Sequence, residues 1–514
     1  MPNEKFLIGV DIGSSSCKTC LVNLQGNVIV TSTKGYPTYY PRQGWAEQDP
    51  DHWYEAFKST LKEAMQKAKV ESKNALVLCI DGVTHNAVLL DHHGFPLRRT
   101  IHFTDTRSRY QAIQINKDFG EVIWNQAYHK VQPGWTLPQL LWVKENEPNV
   151  WKQIEKILFP KDYVRYRLQG GYQTDFIEAT GTLMFDITRG IWSPEICSII
   201  DFPPEKLPPT RSPFDIAGEI GKMGKEIDLP ASTPIVVGST DTAVEVFAAG
   251  ALYPGQFTVK LATVARICAI ADKPFPHPKL LNYPHLLFPN RWYPGTGSRS
   301  GAAFRWFHDT FLRDKKIENY SPQLNWFHFV DTIGSAIPAG SDGLIFHPYL
   351  LGESAPYFNP DLRADFLGIT MRHKEAHFIR AVLEGTAFAI RDCMDLIREA
   401  GLQVLEGRII GGGSKSSLWR RIVSDCLGLE LLKPKEGDAC FGAALVGGVG
   451  IGVFASPEEA VQKCVFVEER ITPDMENKAV YDELFVVYKR AQALLEEINL
   501  CLSKRAAGKE TRVH

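Results

Sequence analysis

The sequence contains no run of about 20 apolar residues that could span a membrane. Its longest uncharged stretch, 439–455, includes five glycines, which is more typical of close packing in a protein core. The N-terminus lacks the basic segment and the small-residue cleavage site of a secretory signal. These absences predict a soluble, cytoplasmic protein with no membrane partner.

An excess of charge of one sign is also missing. The chain has 57 Lys and Arg against 59 Asp and Glu, a net charge of −2. No basic surface is therefore expected to attract nucleic acid. With 514 residues, 44% hydrophobic and 23% charged, the composition is that of an ordinary globular protein. At this length the chain is expected to hold two to four domains, or two large ones.

Clustered cysteines are scarce, although the chain has ten of them. Only Cys17 and Cys20 have CxxC spacing, and no second CxxC or nearby His pair completes a zinc site. A redox pair would need the N-terminus of a helix, whereas these two lie in a predicted strand. We therefore expect buried thiols in a reducing compartment.

Both halves of the chain are predicted to begin with short strands around a turn of small residues. In the first half, strands are predicted at 6–10, 18–22, 28–30, 75–80 and 87–90, with a helix over 53–69. A second β-rich segment begins with a predicted strand at 233–238 and leads into a short predicted helix over 243–251. In the second half, strands are predicted over 256–270 and 407–413, and helices over 376–398 and from about 416.

A Pro-Gly break at Leu252–Gly255 predicts the domain boundary, giving one domain over 1–252 and a second over 253–514. The last helix is predicted to open at Thr472-Pro473. Its apolar residues recur at helical spacing and are predicted to face the core. They are Val480, Leu484, Val487, Ala491, Leu494 and Ile498.

The first motif with possible chemistry is Asp11-x-Gly-Ser-Ser-x-x-Lys18. A small-residue turn between paired strands can direct backbone N–H groups and hydroxyls toward phosphate oxygens. An Asp at the strand end can hold a Mg²⁺ ion through water. The same residues would also form an ordinary β-turn with an exposed Asp.

Two further motifs are ambiguous when taken alone. Gly411-Gly-Gly413, between a strand and a helix, allows a ligand close to the backbone, but it also suits a helix–sheet crossing. Asp241 ends a strand and begins a helix, where it is a candidate ligand-binding carboxylate or a simple helix cap. His85, after a buried strand, is at a position where histidine is more often a structural residue than a ligand.

Taken in order, these motifs and several others resemble the FGGY carbohydrate kinases, and within them the xylulokinase branch. The resemblance runs from about residue 6 to 490. The segments that carry it are 11–15, 44–50, 84–85, 160–163, 179–182, 238–241, 347–353, 380–385 and 411–413.

The resemblance implies an α/β fold with two actin-like ATPase domains, each a ribonuclease H-like unit, and an interdomain cleft. It implies ATP and Mg²⁺ as cofactors and a small sugar as substrate. A homodimer is compatible with the family. The expected reaction is phosphorylation of a terminal hydroxyl group, with a ketopentose such as D-xylulose as the first candidate.

The resemblance also implies roles for individual residues. Asp241 corresponds to the catalytic base, and Asp11 to a second catalytic carboxylate that is linked to the metal through water, with Asp241 as the other metal-side group. The substrate-binding residues expected are Thr84, His85, Asp105, Asp241 and Thr242. The ATP-binding residues expected are Gly13, Ser14, Ser15, Lys18, Thr263, Gly301, Gly412, Gly413 and Ser417.

Several positions depart from the xylulokinase pattern. Thr242 stands for the usual Asn, Phe103-Thr104 for Trp-Asn, and Thr84 for Met. Ala262 replaces a glycine of the second phosphate loop, and Ser354 an arginine. Since three of these changes border the sugar side, a deoxy-ketose, ribulose, a polyol or a gluconate-like acid stays an alternative substrate.

Two other classes of protein fit the motifs less well. A non-catalytic actin-like nucleotide switch would share the fold and the Asp11 loop, but it would need neither Asp241 nor the sugar-side His and Asp. A dinucleotide-dependent oxidoreductase is not favoured, because the glycine loops lack the GxGxxG spacing and the acidic residue of that motif.

Overall fold

The structure is a computed structural model that describes residues 4–169, 171–312 and 326–510. The chain forms two compact units. The first comprises Met1–Leu252, Asp272–Trp292 and Glu436–Phe466, and the second comprises Tyr253–Ala271, Tyr293–Lys435 and Val467–His514. Among the described helices, none combines the length and the apolar character needed to cross a bilayer.

The strands, in chain order, are β1 (Phe6–Ile12), β2 (Ser16–Asn23), β3 (Val28–Gly35), β4 (Glu47–Gln48), β5 (Ala75–Gly82), β6 (Val88–Leu90), β7 (Thr100–Ile101), β8 (Lys156–Leu158), β9 (Thr174–Asp175), β10 (Phe185–Asp186), β11 (Ile191–Trp192), β12 (Thr210–Arg211), β13 (Ile216–Glu219), β14 (Pro234–Val236), β15 (Gly255–Lys260), β16 (Ala265–Ala269), β17 (Leu281–Pro284), β18 (Trp292–Ser298), β19 (Ile345–His347), β20 (Asp365–Leu367), β21 (Val404–Ile410), β22 (Leu431–Pro434) and β23 (Val467–Ile471).

The α-helices are α1 (Pro50–Ala68), α2 (Arg109–Ala127), α3 (Thr136–Asn146), α4 (Pro148–Gln153), α5 (Pro160–Gln169), α6 (Phe176–Gly181), α7 (Pro194–Ile199), α8 (Gly224–Ile227), α9 (Asp241–Ala248), α10 (Gly301–Phe307), α11 (Trp326–Gly334), α12 (Glu375–Glu399), α13 (Ser417–Leu427), α14 (Ala439–Gly450), α15 (Pro457–Cys464) and α16 (Met475–Glu510).

The first unit is built on a six-stranded mixed sheet with the order β13-β14-β5-β1-β2-β3. β1, β2 and β3 form an antiparallel meander, and β5 and β14 continue the sheet parallel to β1. The carboxyl ends of β1, β5 and β14 therefore meet at one edge. In sheets of this kind, that edge is where ligands bind.

The sheet of the second unit repeats this order. β15 and β16 are antiparallel, β18 follows β16 antiparallel, and β21 and β22 extend the other side parallel to β15. Both units thus have their first strand in the middle, two antiparallel strands on one side and two parallel strands on the other. This confirms the predicted α/β fold with two ribonuclease H-like halves.

One face of the first sheet is covered by α14, which lies far along the chain. Gly9 of β1 permits this packing, since a Cβ atom there would lie 1.8 Å from the Cys440 carbonyl oxygen. The single division predicted at residue 252 is therefore incomplete. The prediction did not include residues 436–466 in the first unit. These residues pack on strands that lie far away in the sequence, and such long-range packing leaves no local signal.

The other face of the first sheet is covered by α1. This helix begins after Asp49, whose side chain accepts a hydrogen bond from the backbone N–H of Asp51, and Pro50 occupies its first turn. Trp53, Phe57 and Leu61 of α1 are buried in the core. The predicted helix over 53–69 is confirmed, with its start three residues earlier.

The prediction for the last helix was wrong in two respects. α16 begins at Met475, not next to Pro473. Its buried positions are Tyr481, Phe485, Tyr488, Gln492 and Asn499, whereas the predicted core-facing stripe is largely exposed. The aromatic rings bury more surface than the aliphatic stripe does, and they orient the helix.

Candidate active site

Three aspartates lie at the carboxyl ends of adjacent parallel strands in the first unit. Asp11 near the end of β1 is directly paired in register with Asp81 of β5. Beyond β14, Thr240 forms a parallel bridge to Gly82, so Asp241 follows at the same edge. The fold thus brings together two predicted site residues and one, Asp81, that the motifs did not single out.

Asp81 is completely buried. Burial, followed by the charges of Asp11 and Asp241, raises the pKa of the Asp81 carboxyl well above its usual value. Among the described residues, no N–H or hydroxyl group donates a hydrogen bond to either of its oxygens. The fold therefore places the buried Asp81 carboxyl close to the acidic side chains of Asp11 and Asp241.

Asp241 is the first residue of α9 and is half-buried. Its Oδ1 accepts hydrogen bonds from the backbone N–H of Thr242 at 2.6 Å and from the Thr242 hydroxyl at 3.1 Å. Thr242, which stands where the xylulokinase pattern has Asn, thus still provides a side chain that orients the Asp241 carboxylate. These two donors fix one oxygen of Asp241.

The first predicted phosphate loop is a tight turn between β1 and β2. The backbone N–H of Gly13 donates to the Ser16 carbonyl at 3.0 Å. The Gln48 side-chain amide donates to the Ser14 carbonyl at 2.8 Å, which anchors the turn from outside. Ser14 and Ser15 are exposed at its tip, as a ligand-binding turn requires.

Lys18, predicted on the ATP side, forms an ion pair with Asp438, with Nζ and Oδ2 3.1 Å apart. Burial opposes the charge of this lysine, but Asp438, Cys440 and Asp11 outweigh that effect and raise its pKa. The residue that precedes α14 therefore holds the amine beside the first loop. Its contact with ATP stays a prediction.

Thr84 and His85, predicted to bind the sugar, are held by Glu178 of α6. Glu178 Oε1 accepts a hydrogen bond from the Thr84 hydroxyl at 2.8 Å and one from the His85 backbone N–H at 3.1 Å. His85 has a positive φ of 76°, a conformation that costs a non-glycine residue energy. Glu178 therefore holds the loop in this shape.

An aromatic wall surrounds the His85 ring. Trp135 is stacked on it with the ring centroids 4.4 Å apart, and His129 lies 4.8 Å from Trp135. The imidazole of His85 pairs with the Gly181 carbonyl at 2.5 Å and with the Tyr283 hydroxyl at 3.3 Å. Flat apolar rings next to polar groups suit a sugar, which presents both C–H and O–H faces.

Glu178 is also completely buried. Burial raises its pKa well above the usual value, although Lys161 acts in the opposite direction. Lys161 itself forms ion pairs with Asp162 at 2.6 Å and Asp175 at 2.9 Å. The nearby cation is thus shared among several acids and does not neutralise Glu178 alone.

Asp105, the third predicted sugar contact, is buried and fully engaged. It accepts hydrogen bonds from the backbone N–H groups of Ala46 and Arg107. The Arg107 guanidinium adds contacts of 2.8–3.0 Å to both oxygens. A sugar hydroxyl would have to displace one of these donors, so contact between Asp105 and the substrate stays a prediction.

In the second unit, the predicted ATP-side residues gather around the turn after β15. Gly301, at the start of α10, lies so close to this turn that a Cβ atom at residue 301 would be 1.7 Å from the Ala262 carbonyl oxygen. The backbone N–H of Gly413 donates to the Leu261 carbonyl at 2.9 Å. Thr263 is exposed at the tip of the turn, and Gly412 faces open space.

Ser417, also predicted on the ATP side, begins α13, and its N–H and hydroxyl groups are taken by Asp331. The backbone N–H of Ser417 donates to Asp331 Oδ2 at 2.7 Å, and its hydroxyl does so at 2.9 Å. Ser416 donates to the other carboxylate oxygen. An acidic side chain therefore caps this helix, at a position where the sequence predicts a bound nucleotide.

The structure thus groups the predicted residues within each unit, and it adds residues that sequence reasoning missed. Asp81 had a signal, a carboxylate directly after an apolar strand. The aromatic wall and the Asp331 cap had none, because their members come from separate segments of the chain.

Comparison with known proteins gives a consistent result. Residues 6–248 match the N-terminal domain of the FGGY family of carbohydrate kinases, and residues 270–451 match its C-terminal domain.

Among curated relatives, the xylulose kinase of Bacillus subtilis is 31% identical over 97% of this chain and 99% of its own length. The gluconokinase of the same organism is 27% identical over 96% of both chains. Among solved structures, the xylulose kinase from Rhodospirillum rubrum has a TM-score of 0.84 and 25% identity, and the alignment covers 96% of this chain and all of the other.

Proposed function

The chain belongs to the FGGY family of carbohydrate kinases, and we propose that it phosphorylates a terminal hydroxyl group of a small ketose, with D-xylulose as the first candidate. It is an enzyme of the sugar kinase class, and such kinases use ATP. The finer assignment is supported by a full-length relative that carries the name xylulose kinase.

The observation that carries the mechanism is the row of Asp11, Asp81 and Asp241 at one sheet edge. Asp241 is the proposed general base. Because one of its oxygens is held by Thr242, the carboxylate is oriented before the substrate arrives. In a loose phosphoryl-transfer transition state the proton leaves the hydroxyl late, so orientation matters more than basicity.

The proposed sugar site is formed by Thr84, His85 and the aromatic wall. Glu178 fixes the loop, and the Thr84 hydroxyl and the His85 ring can then meet the sugar hydroxyls. A site with preset hydrogen-bonding partners rejects analogues that lack a hydroxyl, because its buried polar groups would be left unpaired.

The acidic edge also fits a magnesium ion. Mg²⁺ prefers oxygen ligands, and Asp11, Asp81 and Asp241 would hold it, directly or through water. In the described ranges, no group of three or more acidic, His or Cys side chains is placed to hold a metal ion by itself, so phosphate oxygens and water would have to supply most of the ligands. When bound, the ion supplies positive charge to the phosphoryl group being transferred.

For the nucleotide, the proposed contacts on the first unit are Gly13, Ser14, Ser15 and Lys18. On the second unit they are Thr263, Gly301, Gly412, Gly413 and Ser417. The support for the latter group is that Gly301 and Gly413 contact the 261–263 turn, which carries Thr263.

Gluconate is the second candidate, since a relative named gluconokinase matches nearly the whole chain. Charge favours an uncharged ketose. Glu178 lies directly behind the proposed sugar site, and Lys161 is already shared by Asp162 and Asp175. Lys161 is therefore not free to pair with the carboxylate of an aldonate, whose burial would be costly without a cation.

The test is sugar-dependent ADP release with Mg·ATP for D-xylulose, D-ribulose, a deoxy-ketose, xylitol and gluconate. We expect the highest kcat/KM with a ketopentose. Asp241→Asn should lower kcat by about 10²–10⁴-fold with folding intact. Asp118→Asn, in exposed surface, is the matched control and should leave the rate unchanged. A preference for gluconate, or full activity of Asp241→Asn, would contradict the proposal.

A further inference from the structure

Asp175 connects two segments of the first unit that carry different parts of the proposed reaction. It ends β9, directly before α6, and its side chain is completely buried. Its Oδ1 accepts a hydrogen bond from the Ser239 hydroxyl at 2.9 Å. The same oxygen accepts two more from the backbone N–H groups of Ile177 and Glu178, at 2.9 and 3.3 Å. One carboxylate oxygen therefore joins the segment after β14 to the first turn of α6.

On the side of α6, this connection leads to the loop of the proposed sugar site. The hydrogen bonds from the two N–H groups fix the first turn of α6, which carries Glu178. Glu178 in turn anchors Thr84 and His85 through its Oε1 atom. The position of the loop thus depends on the position of Asp175.

On the other side, the connection leads to the proposed general base. Ser239 is completely buried, and Asp241 follows it by two residues. The residue between them, Thr240, forms the parallel bridge to Gly82 that places Asp241 at the sheet edge. Because only one residue separates Ser239 from Asp241, a shift of the serine is passed on to the carboxylate.

Buried ion pairs hold Asp175 and the segment after β14 from a second direction. Arg165 of α5 donates from Nη1 to the Val237 carbonyl at 3.1 Å, and its Nη2 pairs with Asp162 at 2.8 Å. The Lys161 amine lies 2.6 Å from Asp162 and 2.9 Å from Asp175. Two cations and two carboxylates therefore form one connected network.

Burial makes this network rigid. The side chains of Lys161, Asp162, Arg165 and Asp175 are each at most 1% exposed. Moving one charge away from its partners would leave another charge unpaired in the core, which is strongly unfavourable. Asp175 is thus a fixed point to which both segments are attached.

We propose that Asp175 is a positioning residue that sets the distance between the bound sugar and the general base. It acts through Glu178 on one side and through Ser239 on the other. The inference rests on the proposed function, which places the sugar at the loop that Glu178 anchors and assigns the base to Asp241. Phosphoryl transfer depends on such alignment, and a misplacement of about 1 Å can lower a rate about 10²-fold.

Ser239→Ala tests the connection without touching a charge. It removes one hydroxyl group and leaves Asp175 its ion pair with Lys161 and its hydrogen bonds to α6. With Mg·ATP and the sugar that the wild type phosphorylates fastest, we expect kcat to fall about 10-fold because the base loses its alignment. The KM for ATP should stay at the wild-type value.

The matched control is Ser32→Ala. Ser32 is also buried in the sheet of the first unit, and its hydroxyl donates to the Glu63 carboxylate. The same chemical change there should leave kcat at the wild-type value. Ser239→Cys, which keeps a weak donor at this position, should recover part of the rate that Ser239→Ala loses. Thermal unfolding checks that each variant is folded.

A double-mutant cycle with Glu178→Ala distinguishes a connection from two separate stabilising effects. If Ser239 and Glu178 act through Asp175, the second substitution costs less once the first has broken the connection. The loss of kcat/KM in the double variant should then be at least about fivefold smaller than the product of the two single losses. Single losses that simply multiply overturn the proposal, and so does a Ser239→Ala enzyme with the wild-type kcat.

Hydrogen exchange on the wild type and on Ser239→Ala adds a readout that needs no turnover. The substitution should speed exchange of the backbone amides in 84–86 and 176–181 and leave those of α1 unchanged. Wild-type exchange in both segments overturns the role of Asp175, whatever the substrate is. A wild-type protein that phosphorylates no sugar of the panel contradicts the proposed function alone, and the exchange result still decides whether Asp175 connects the two segments.

Discussion

Asp11 and Asp81 lie directly opposite each other in the parallel pairing of β1 and β5. Two acidic groups in such a position repel each other unless one takes up a proton or a cation lies nearby. The raised pKa of Asp81, which follows from its burial and from the charges of Asp11 and Asp241, reflects this conflict. A divalent cation is one natural way to resolve it.

Asp81→Asn should therefore weaken magnesium binding. We expect an increase in the apparent Kd for Mg²⁺ of about 10-fold, because one of three acidic groups at the edge loses its charge. The measurement is Mg²⁺-dependent thermal stabilisation of the nucleotide-free protein. The thermal midpoint without Mg²⁺ should stay near the wild-type value, since the amide is nearly isosteric with the acid.

The control is Asp118→Asn, which removes an exposed carboxylate and should not change the Kd for Mg²⁺. Wild-type affinity in Asp81→Asn would show that Asp81 takes no part in holding the ion.

Glu178 provides a prediction about the sugar side. Glu178→Ala should raise KM for the sugar about 10-fold with a smaller change in kcat, because the loop that carries Thr84 and His85 loses both of its anchors. Glu178→Gln should stay close to wild type. Burial favours the neutral acid, which glutamine resembles, and the amide oxygen accepts the same two hydrogen bonds.

Steady-state kinetics on both variants distinguishes an anchoring role from a charge-dependent one. If Glu178→Gln is as impaired as Glu178→Ala, the negative charge itself is needed, and the anchoring explanation fails.

The buried His129 predicts a specific pH dependence of stability. Burial lowers its pKa from 6.5 to about 3. Below pH 6.5 the unfolded chain therefore takes up a proton that the folded protein does not, and stability falls as the pH falls. The loss approaches about 1.4 kcal/mol per pH unit once the pH is well below 6.5 and still above the folded pKa.

His129→Gln should be less stable at pH 7.5, because it disturbs two hydrogen bonds of the imidazole ring. One is with the Ala127 carbonyl, and the other is donated by the Asn282 backbone N–H. Its free energy of unfolding should depend less on pH between 6.5 and 5.5, by about 1 kcal/mol, since the unfolded histidine is only half protonated at the upper end of this interval. Urea unfolding at several pH values measures this. The exposed His93→Gln is the control and should keep the wild-type slope; an unchanged slope in His129→Gln would refute the prediction.

Two glycines of the second unit form a matched pair. Gly301→Ala should lower the free energy of unfolding by about 1–3 kcal/mol, because the added methyl group would overlap the Ala262 carbonyl. Gly412→Ala should fold normally, since no atom lies within 4 Å of the place its methyl group would take. If Gly412 contacts the nucleotide as proposed, Gly412→Ala should still raise KM for ATP. Thermal unfolding and ATP titrations separate the two effects.

The fold could be predicted from the sequence where the signal is local. The strands around Asp11 and the helix over Trp53–Leu61 are apparent from apolar spacing alone, and the order of motifs indicated two similar halves. The stripe on α16 shows the limit of this reasoning. The helical spacing of the aliphatic residues identified one face of the helix but could not show whether that face is buried. The aromatic residues Tyr481, Phe485 and Tyr488 also recur at helical spacing, and their face is the buried one.

The candidate site was predictable only in part for a related reason. Asp241 and the first loop follow visible strand ends. His129, Trp135 and Tyr283 are brought together by tertiary structure, and no pattern of residues along the chain connects them. Similarly, Asp331 caps α13 from a helix more than 80 residues earlier.

The packing of α14 against Gly9 has a consequence for biosynthesis. The first strand to leave the ribosome cannot bury one of its faces until residues 439–450 have been made, when the second unit lacks only its last segment, Val467–His514. A fragment ending at residue 252 would leave that face open to water, and it would depend on chaperones or aggregate. The first unit is therefore completed late in translation, although its sequence comes first.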